Sequence, residues 1–256
     1  MILERVYDSA RPRLAGKKIS EVRVGLNLMA VELDDGSIGV TYVLKNEIGH
    51  SCTALPHGGS LAGMPAGEVA GWALEGKNVI DVAMGLAVLN SAAEFERLEQ
   101  ENNPHSTDAV FAVEIQPSDT VGVIGHIGPV IANLEGKVRR LLIFERGEQA
   151  SGLYYPETAQ PQLLPECQVV FVSSTSLINK TLEKLLKFCT NTRDVVMVGA
   201  STPLYPDAFS GSGVTVLSGT RWLSSNRNAI LTGISQCAGM RQIIRYGRKM
   251  SVKVKQ

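Results

Sequence analysis

Apolar residues recur at helical spacing through residues 2–14, with Ile2, Leu3, Val6 and Tyr7 on one side, and predict an amphipathic helix. Two runs follow in which apolar and polar residues alternate, 19–24 and 28–33, and the Asp34-Asp35-Gly36 turn leads to a third, 38–44. That pattern belongs to an antiparallel meander. A polar, glycine-rich stretch over 46–63 carries no period. Two helices are predicted after it, over about 66–75 and 80–100. The second is apolar all round from Val79 to Ala93, as a buried helix is, and amphipathic beyond Glu94.

Residues 99–108 are polar, contain Pro104 and read as a linker. Beyond them, short Val/Ile-rich runs at 121–124, 141–144, 169–173, 195–198 and 214–217 alternate with helical patterns, clearest at 176–189 and 223–246. Continuous apolar strands alternating with helices belong to a parallel sheet covered on both faces. The fold class expected is therefore α/β with an α+β amino-terminal domain. Residues 1–104 form the meander with its helices, and residues 105–256 a parallel sheet of about five strands.

The chain has 256 residues, enough for two small domains with substantial cores. Its 25 basic and 25 acidic residues cancel, so no overall field draws it to nucleic acid or to a membrane surface. Only the end is basic, from Arg241 through Lys255, and reads as a solubilising tail. No apolar stretch approaches the roughly 18 residues of a membrane span, and the first residues lack a secretory pattern. Cys52, Cys167, Cys189 and Cys237 are scattered without a C-x-x-C pair, as reduced thiols of a cytoplasmic protein are.

The richest stretch is 120–145. An apolar strand ends in a turn holding Gly125, His126, Gly128 and Pro129, and a second strand ends in Glu145, 17 residues after Gly128. A Rossmann-like unit begins in this order: strand, tight turn, helix start, strand, acidic residue. Helix-start N–H groups attract an anion, and Glu145 is placed to accept from ribose hydroxyls. Gly122, Gly125 and Gly128 are spaced G-x-x-G-x-x-G, not G-x-G-x-x-G, so the fold is better supported than any dinucleotide. The plainer readings are a tight strand-to-helix crossing and a solvated strand end. Two further loops should reach the same sheet edge. One holds Thr175, Asn179 and Thr181, where a hydroxyl also serves as helix cap. The other holds Gly199, Ser201 and Thr202, either an anion-binding nest or plain turn chemistry. His126 is a candidate acid or base, against the commoner solvated loop histidine.

Elsewhere, His50, Cys52 and His57 could hold a soft transition metal, although H-x-C-x4-H matches no structural zinc spacing and no fourth ligand is evident. Asn90 interrupts the apolar helix. It either hydrogen-bonds neighbouring backbone or faces a cleft shared with the second domain. There is no G-x-x-x-x-G-K-[ST], H-E-x-x-H or G-x-S-x-G, and no defensible Ser/His/Asp set.

Taken with Gly85-Leu-Ala-Val-Leu-Asn90-Ser-Ala, the glycine turn, Ser-Leu-Ile-Asn179-Lys-Thr181-Leu and Gly199-Ala-Ser201-Thr202-Pro203-Leu resemble the bacterial and archaeal family named for putative heavy-metal chelation. The resemblance runs over the whole length. It implies an enolase-N-terminal-like domain followed by a Rossmann-like one, and a link to metal chelation through making or handling a small chelating molecule. Ala200 stands where the family has Pro. Without the barrel that bears enolase's metal ligands, the chain is not an enolase. The expectation is an enzyme-like protein binding a small anionic or nucleoside-like ligand between its domains, the cofactor open between a nucleotide-like molecule and a transition metal. Two alternatives stand beside it: a non-catalytic metal or metal-chelate binder using His50, Cys52 and His57, and a methyltransferase-like enzyme using S-adenosylmethionine. The sequence leaves substrate, reaction and oligomeric state open, a homodimer included.

Overall fold

The computed structural model describes residues 1–49, 53–101, 108–146 and 154–255. Helix α1 (Ile2–Leu14) buries Ile2, Leu3, Val6, Ala10 and Leu14 along one stripe. The meander follows as β1 (Ile19–Val24), β2 (Leu28–Leu33) and β3 (Ile38–Tyr42), antiparallel in that order. Strand β2 is buried along its whole length, so its alternation does not separate core from solvent. Met29, Val31 and Leu33 join the main apolar cluster with α2 (Ala66–Glu75) and α3 (Val79–Ser91). Leu28 and Ala30 pack instead on Trp222, Ile230 and Ile234 from the carboxyl-terminal part of the chain. Glu32 lies among them, buried, and its Oε1 accepts from Arg227 Nε at 2.5 Å.

Asn78 caps α3, its side-chain oxygen accepting from the N–H groups of Ile80 and Asp81 at 2.9 Å each. The predicted 80–100 helix is two: α3 ends at Ser91, and α4 (Phe95–Glu101) resumes after residues 92–94.

The second sheet has seven strands: β4 (Thr120–Ile124), β5 (Arg140–Glu145), β6 (Tyr154–Pro156), β7 (Val169–Ser173), β8 (Asp194–Val198), β9 (Val216–Trp222) and β10 (Gly247–Lys253). Their order is β10-β9-β8-β7-β4-β5-β6, and every pairing is parallel except β9 with β10. The helices between them are short: α5 (Gly128–Leu134), α6 (Gln160–Leu163), α7 (Thr175–Ile178), α8 (Leu182–Leu186), α9 (Arg227–Ser235) and α10 (Met240–Ile243). The fold is α/β, an antiparallel three-stranded unit followed by a mostly parallel sheet.

Two strands exceed the five expected. β6 has three residues, one of them Pro156, too few to show a period. β10 lies inside the presumed solubilising tail and corrects that reading: Met250, Ser251 and Val252 are buried, while Arg248 and Lys249 pair with Glu99 and Asp108. The predicted 176–189 helix breaks where Lys180 takes φ 59°, and the 223–246 helix breaks where Cys237 takes φ 62°. Left-handed backbone cannot continue an α-helix.

The main apolar cluster runs without a gap from α1 and α3 to Ile124, Phe144, Val170 and Met197 of the parallel sheet. The expected boundary at 104/105 falls outside the described residues. Among the described residues, no helix is long and apolar enough to cross a membrane.

Candidate functional site

From β4 the chain winds outward to β5 and β6, then returns to β7 on the other side of β4 and winds the opposite way. Ligands of open parallel sheets bind outside the strand carboxyl ends at such a reversal. A cleft of about 450 Å³ opens there. Its apolar lining comes from Ile124, Phe144 and Leu185 of this unit and from Val43 and Leu44, which leave β3 of the other. The polar lining brings together Lys45, Asn46, Glu47, Gly125, Glu145, Arg146, Glu157, Ser173, Thr175, Ser176, Asn179 and Thr181.

The turn after β4 is held to the end of β5. Gly125, at φ 88°, donates its N–H to Phe144 O at 2.8 Å, and a Cβ there would stand 3.0 Å from Ser173 Cβ, so both conformation and space favour glycine. The next N–H, of His126, donates to Glu145 Oε2 at 2.7 Å, and Arg146 N–H donates to Oε1 at 2.9 Å. Glu145 thus clamps the glycine turn. A carboxylate offers about four lone-pair sites, so two remain for a ligand.

Arg146 is the hub. Its Nε donates to Glu157 Oε1 at 2.5 Å and its Nη1 to Glu47 Oε1 at 2.7 Å, joining the two units across the cleft. With the Asn179 amide turned to satisfy both its atoms, the Asn179 oxygen also accepts from Nη1 at 2.9 Å, and its nitrogen lies 2.7 Å from Thr181 Oγ1. Burial opposes the guanidinium's charge, but Glu157 and Glu47 outweigh it and hold its pKa above the ordinary value.

The bend at Lys180 folds Thr181 back, so that its N–H donates to Ser176 O at 2.9 Å. Ser173 Oγ and Thr175 Oγ1 share a hydrogen bond of 2.8 Å. Ser174 and Ser176 are buried, and neither hydroxyl oxygen has a partner among the described residues or accessible surface of its own; Ser176 borders the cleft.

Of the residues singled out from the sequence, the cleft gathers Gly125, Glu145, Thr175, Asn179 and Thr181. Gly122 stands inside β4, facing Cys167 and Leu164. His126 points away from the cleft lining; its Nδ1 lies 2.8 Å from Tyr154 Oη and the rings stack. Gly128 and Pro129 open α5 beyond the lining.

The loop of Gly199, Ser201 and Thr202 is closed over by β3 and does not open on the cleft. Tyr42 N–H donates to Ser201 Oγ at 2.9 Å, and Gly199, at φ 135°, lies under the Tyr42 ring. Thr202 is buried there with its Oγ1 unpartnered among the described residues. Asn90 belongs to the same seam: its amide donates to Val40 O at 3.2 Å and Ala200 O at 3.3 Å, tying the units together rather than facing a ligand.

His57 stacks on Trp72 with ring centroids 5.0 Å apart. His50 and Cys52 lie outside the described residues, and among the described residues no three His, Cys, Asp or Glu side chains are grouped to hold a metal. Burial pushes the Cys167 thiol up to about 12 and the Cys189 thiol to about 11, which leaves neither a thiolate nucleophile at neutral pH. Lys45, Arg146 and Glu157 escaped the sequence reading. Arg146 alone carried a sign, a second charge directly following Glu145 at the end of a buried strand.

A family profile described as "Putative heavy-metal chelation" matches residues 108–253, and a second profile with the same description matches residues 7–93. The chain belongs to this family. A crystal structure of a family protein of unknown function from Pyrococcus horikoshii superposes with a TM-score of 0.79 at 21% identity, covering 99% of this chain and 100% of that one. Another, from Desulfitobacterium hafniense DCB-2, gives 0.75 at 23% identity over 98% of each chain. An uncharacterized protein of Methanocaldococcus jannaschii is 24% identical over 147 residues, and the match spans 56% of each chain. The fold is therefore shared by family members, while their descriptions name no ligand.

Proposed function

We propose that the cleft at the carboxyl ends of β4, β5 and β7 binds a small nucleoside-like or anionic molecule, and that the protein acts as an enzyme-like component in making or handling a metal-chelating molecule. The observation that carries this reading is Glu145, which lines the cleft at the carboxyl end of β5 and keeps carboxylate lone-pair sites beyond those taken by the His126 and Arg146 N–H groups. Those lone pairs stand where a Rossmann-like site receives ribose hydroxyls. The Glu47, Glu145 and Glu157 carboxylates disfavour a polyphosphate chain and favour a hydroxyl-rich ligand. S-adenosylmethionine, with its ribose, meets the same requirement.

The test is calorimetric titration of adenosine, S-adenosylmethionine and nicotinamide dinucleotides into wild type and Glu145→Ala, with thermal unfolding confirming that the variant folds. Binding of at least one, weakened about tenfold by loss of a hydrogen bond worth roughly 1.4 kcal/mol, is expected. If wild type binds none of them, or the variant binds equally well, the cleft is not a nucleoside site.

A further inference from the structure

The charges lining the cleft are not all paired. Arg146 is offset twice, by Glu47 and Glu157. Glu145 faces the same space but receives only neutral backbone N–H groups, from His126 and Arg146. Lys45, exposed on the segment leaving β3, has no ion-pair partner among the described residues. One carboxylate and one ammonium, contributed by different units of the fold, are therefore left for whatever occupies the cleft.

We infer that the ligand is an aminocarboxylate, its carboxylate pairing with Lys45 and its ammonium with Glu145. This rests on the cleft being the ligand site. A purely anionic ligand would satisfy Lys45 but meet the Glu145 carboxylate unpaired, and a purely cationic one would satisfy Glu145 and leave Lys45 unanswered. A zwitterion answers both without changing the net charge of the cleft, which is the condition for specific electrostatic pairing. Ile124, Phe144 and Leu185 then face the ligand's carbon skeleton.

The chemistry also bears on the family's description. An amine nitrogen and a carboxylate oxygen on one small molecule are donors that grip divalent transition metals. Chelation would in that case reside in the ligand, and the protein would need no metal-binding cluster of its own.

The experiment is a calorimetric panel on the whole protein. The aminocarboxylates are glycine, L-glutamate, L-histidine and iminodiacetate; the single-group controls are acetate and methylamine; adenosine reports on the cleft without a zwitterion. Each is titrated into wild type, Lys45→Met and Glu145→Gln, with thermal unfolding confirming that the variants fold. At least one aminocarboxylate should bind wild type tenfold or more tightly than either single-group control, and each substitution should weaken it at least tenfold. Acetate, methylamine or adenosine binding as tightly as every aminocarboxylate would overturn the inference, as would aminocarboxylate binding indifferent to either substitution. Adenosine binding that depends on Glu145 but not on Lys45 would overturn the zwitterion while leaving the cleft as the site. Silence from every aminocarboxylate would overturn the inference, and silence from adenosine, S-adenosylmethionine and the nicotinamide dinucleotides as well would overturn the reading of the cleft.

Discussion

Ser176→Ala should make the ligand-free protein more stable. Ser176 and Ser91 are matched: both are buried serines, 4% exposed, on helices. Ser91 Oγ donates to Val88 O at 2.7 Å, whereas Ser176 Oγ has no partner among the described residues. An unsatisfied buried hydroxyl costs about 1–3 kcal/mol, while a satisfied one contributes about 0.5–1.5 kcal/mol. Ser176→Ala should therefore gain about 1–2 kcal/mol, and Ser91→Ala should lose about 1 kcal/mol. In a chain of this size each kcal/mol moves the melting temperature by about 2–4 °C. Urea unfolding at constant slope separates a stability change from a change in the unfolded state. Equal destabilisation by the two substitutions would show that the Ser176 hydroxyl is already satisfied, and the reasoning would fail.

Three further outcomes follow from the geometry. Glu145→Ala should cost about 1–2 kcal/mol, because both carboxylate oxygens hold backbone N–H groups of the turn and strand end; it should also weaken any nucleoside ligand by about tenfold or more. Unchanged urea stability would contradict the clamp. Burial works to raise the Asp119 pKa, but Arg193 Nη2 at 3.0 Å and the Gln116 N–H at 2.8 Å outweigh it and hold the value below the usual range. The stability this supplies is present above the unfolded value of about 3.9 and is lost as pH falls through the lower folded value. Asp119→Asn should accordingly flatten the acid limb of an unfolding-versus-pH curve below about pH 4. Proteases that cut within 102–106 should leave two fragments that elute together under native conditions, because one apolar cluster spans α1, α3 and the parallel sheet. Fragments that separate freely would contradict that shared core.

The fold was largely legible because burial writes itself into period. The runs at 19–24, 28–33 and 169–173 match their strands end to end. The misses have physical causes. Arg248 and Lys249 hid β10, since an edge strand tolerates outward charges that look like a basic tail. Helical period continued through Lys180 and Cys237, yet both adopt left-handed backbone, which apolar spacing does not encode. The cleft lining was legible near strand ends, where Gly125, Glu145 and Thr175 follow from knowing where a parallel sheet presents its loops, and in the helix start after β7, which carries Asn179 and Thr181. Lys45 was not, because the packing of one unit on the other brings it to the cleft. The same packing buries Ser201 and Thr202, brings the Tyr42 ring over Gly199 and makes Asn90 a seam residue.

The most direct test of the central claim is a crystal structure of the protein with the tightest-binding probe from the two titration panels. Difference density bounded by Glu145 and Lys45, with a ligand polar atom within hydrogen-bond distance of the Glu145 carboxylate, is the predicted result. A fully occupied ligand elsewhere, for example in the depression between Asp35 and Trp222 or beside Asp194 and Lys253, with the β4–β7 cleft unchanged, would contradict it.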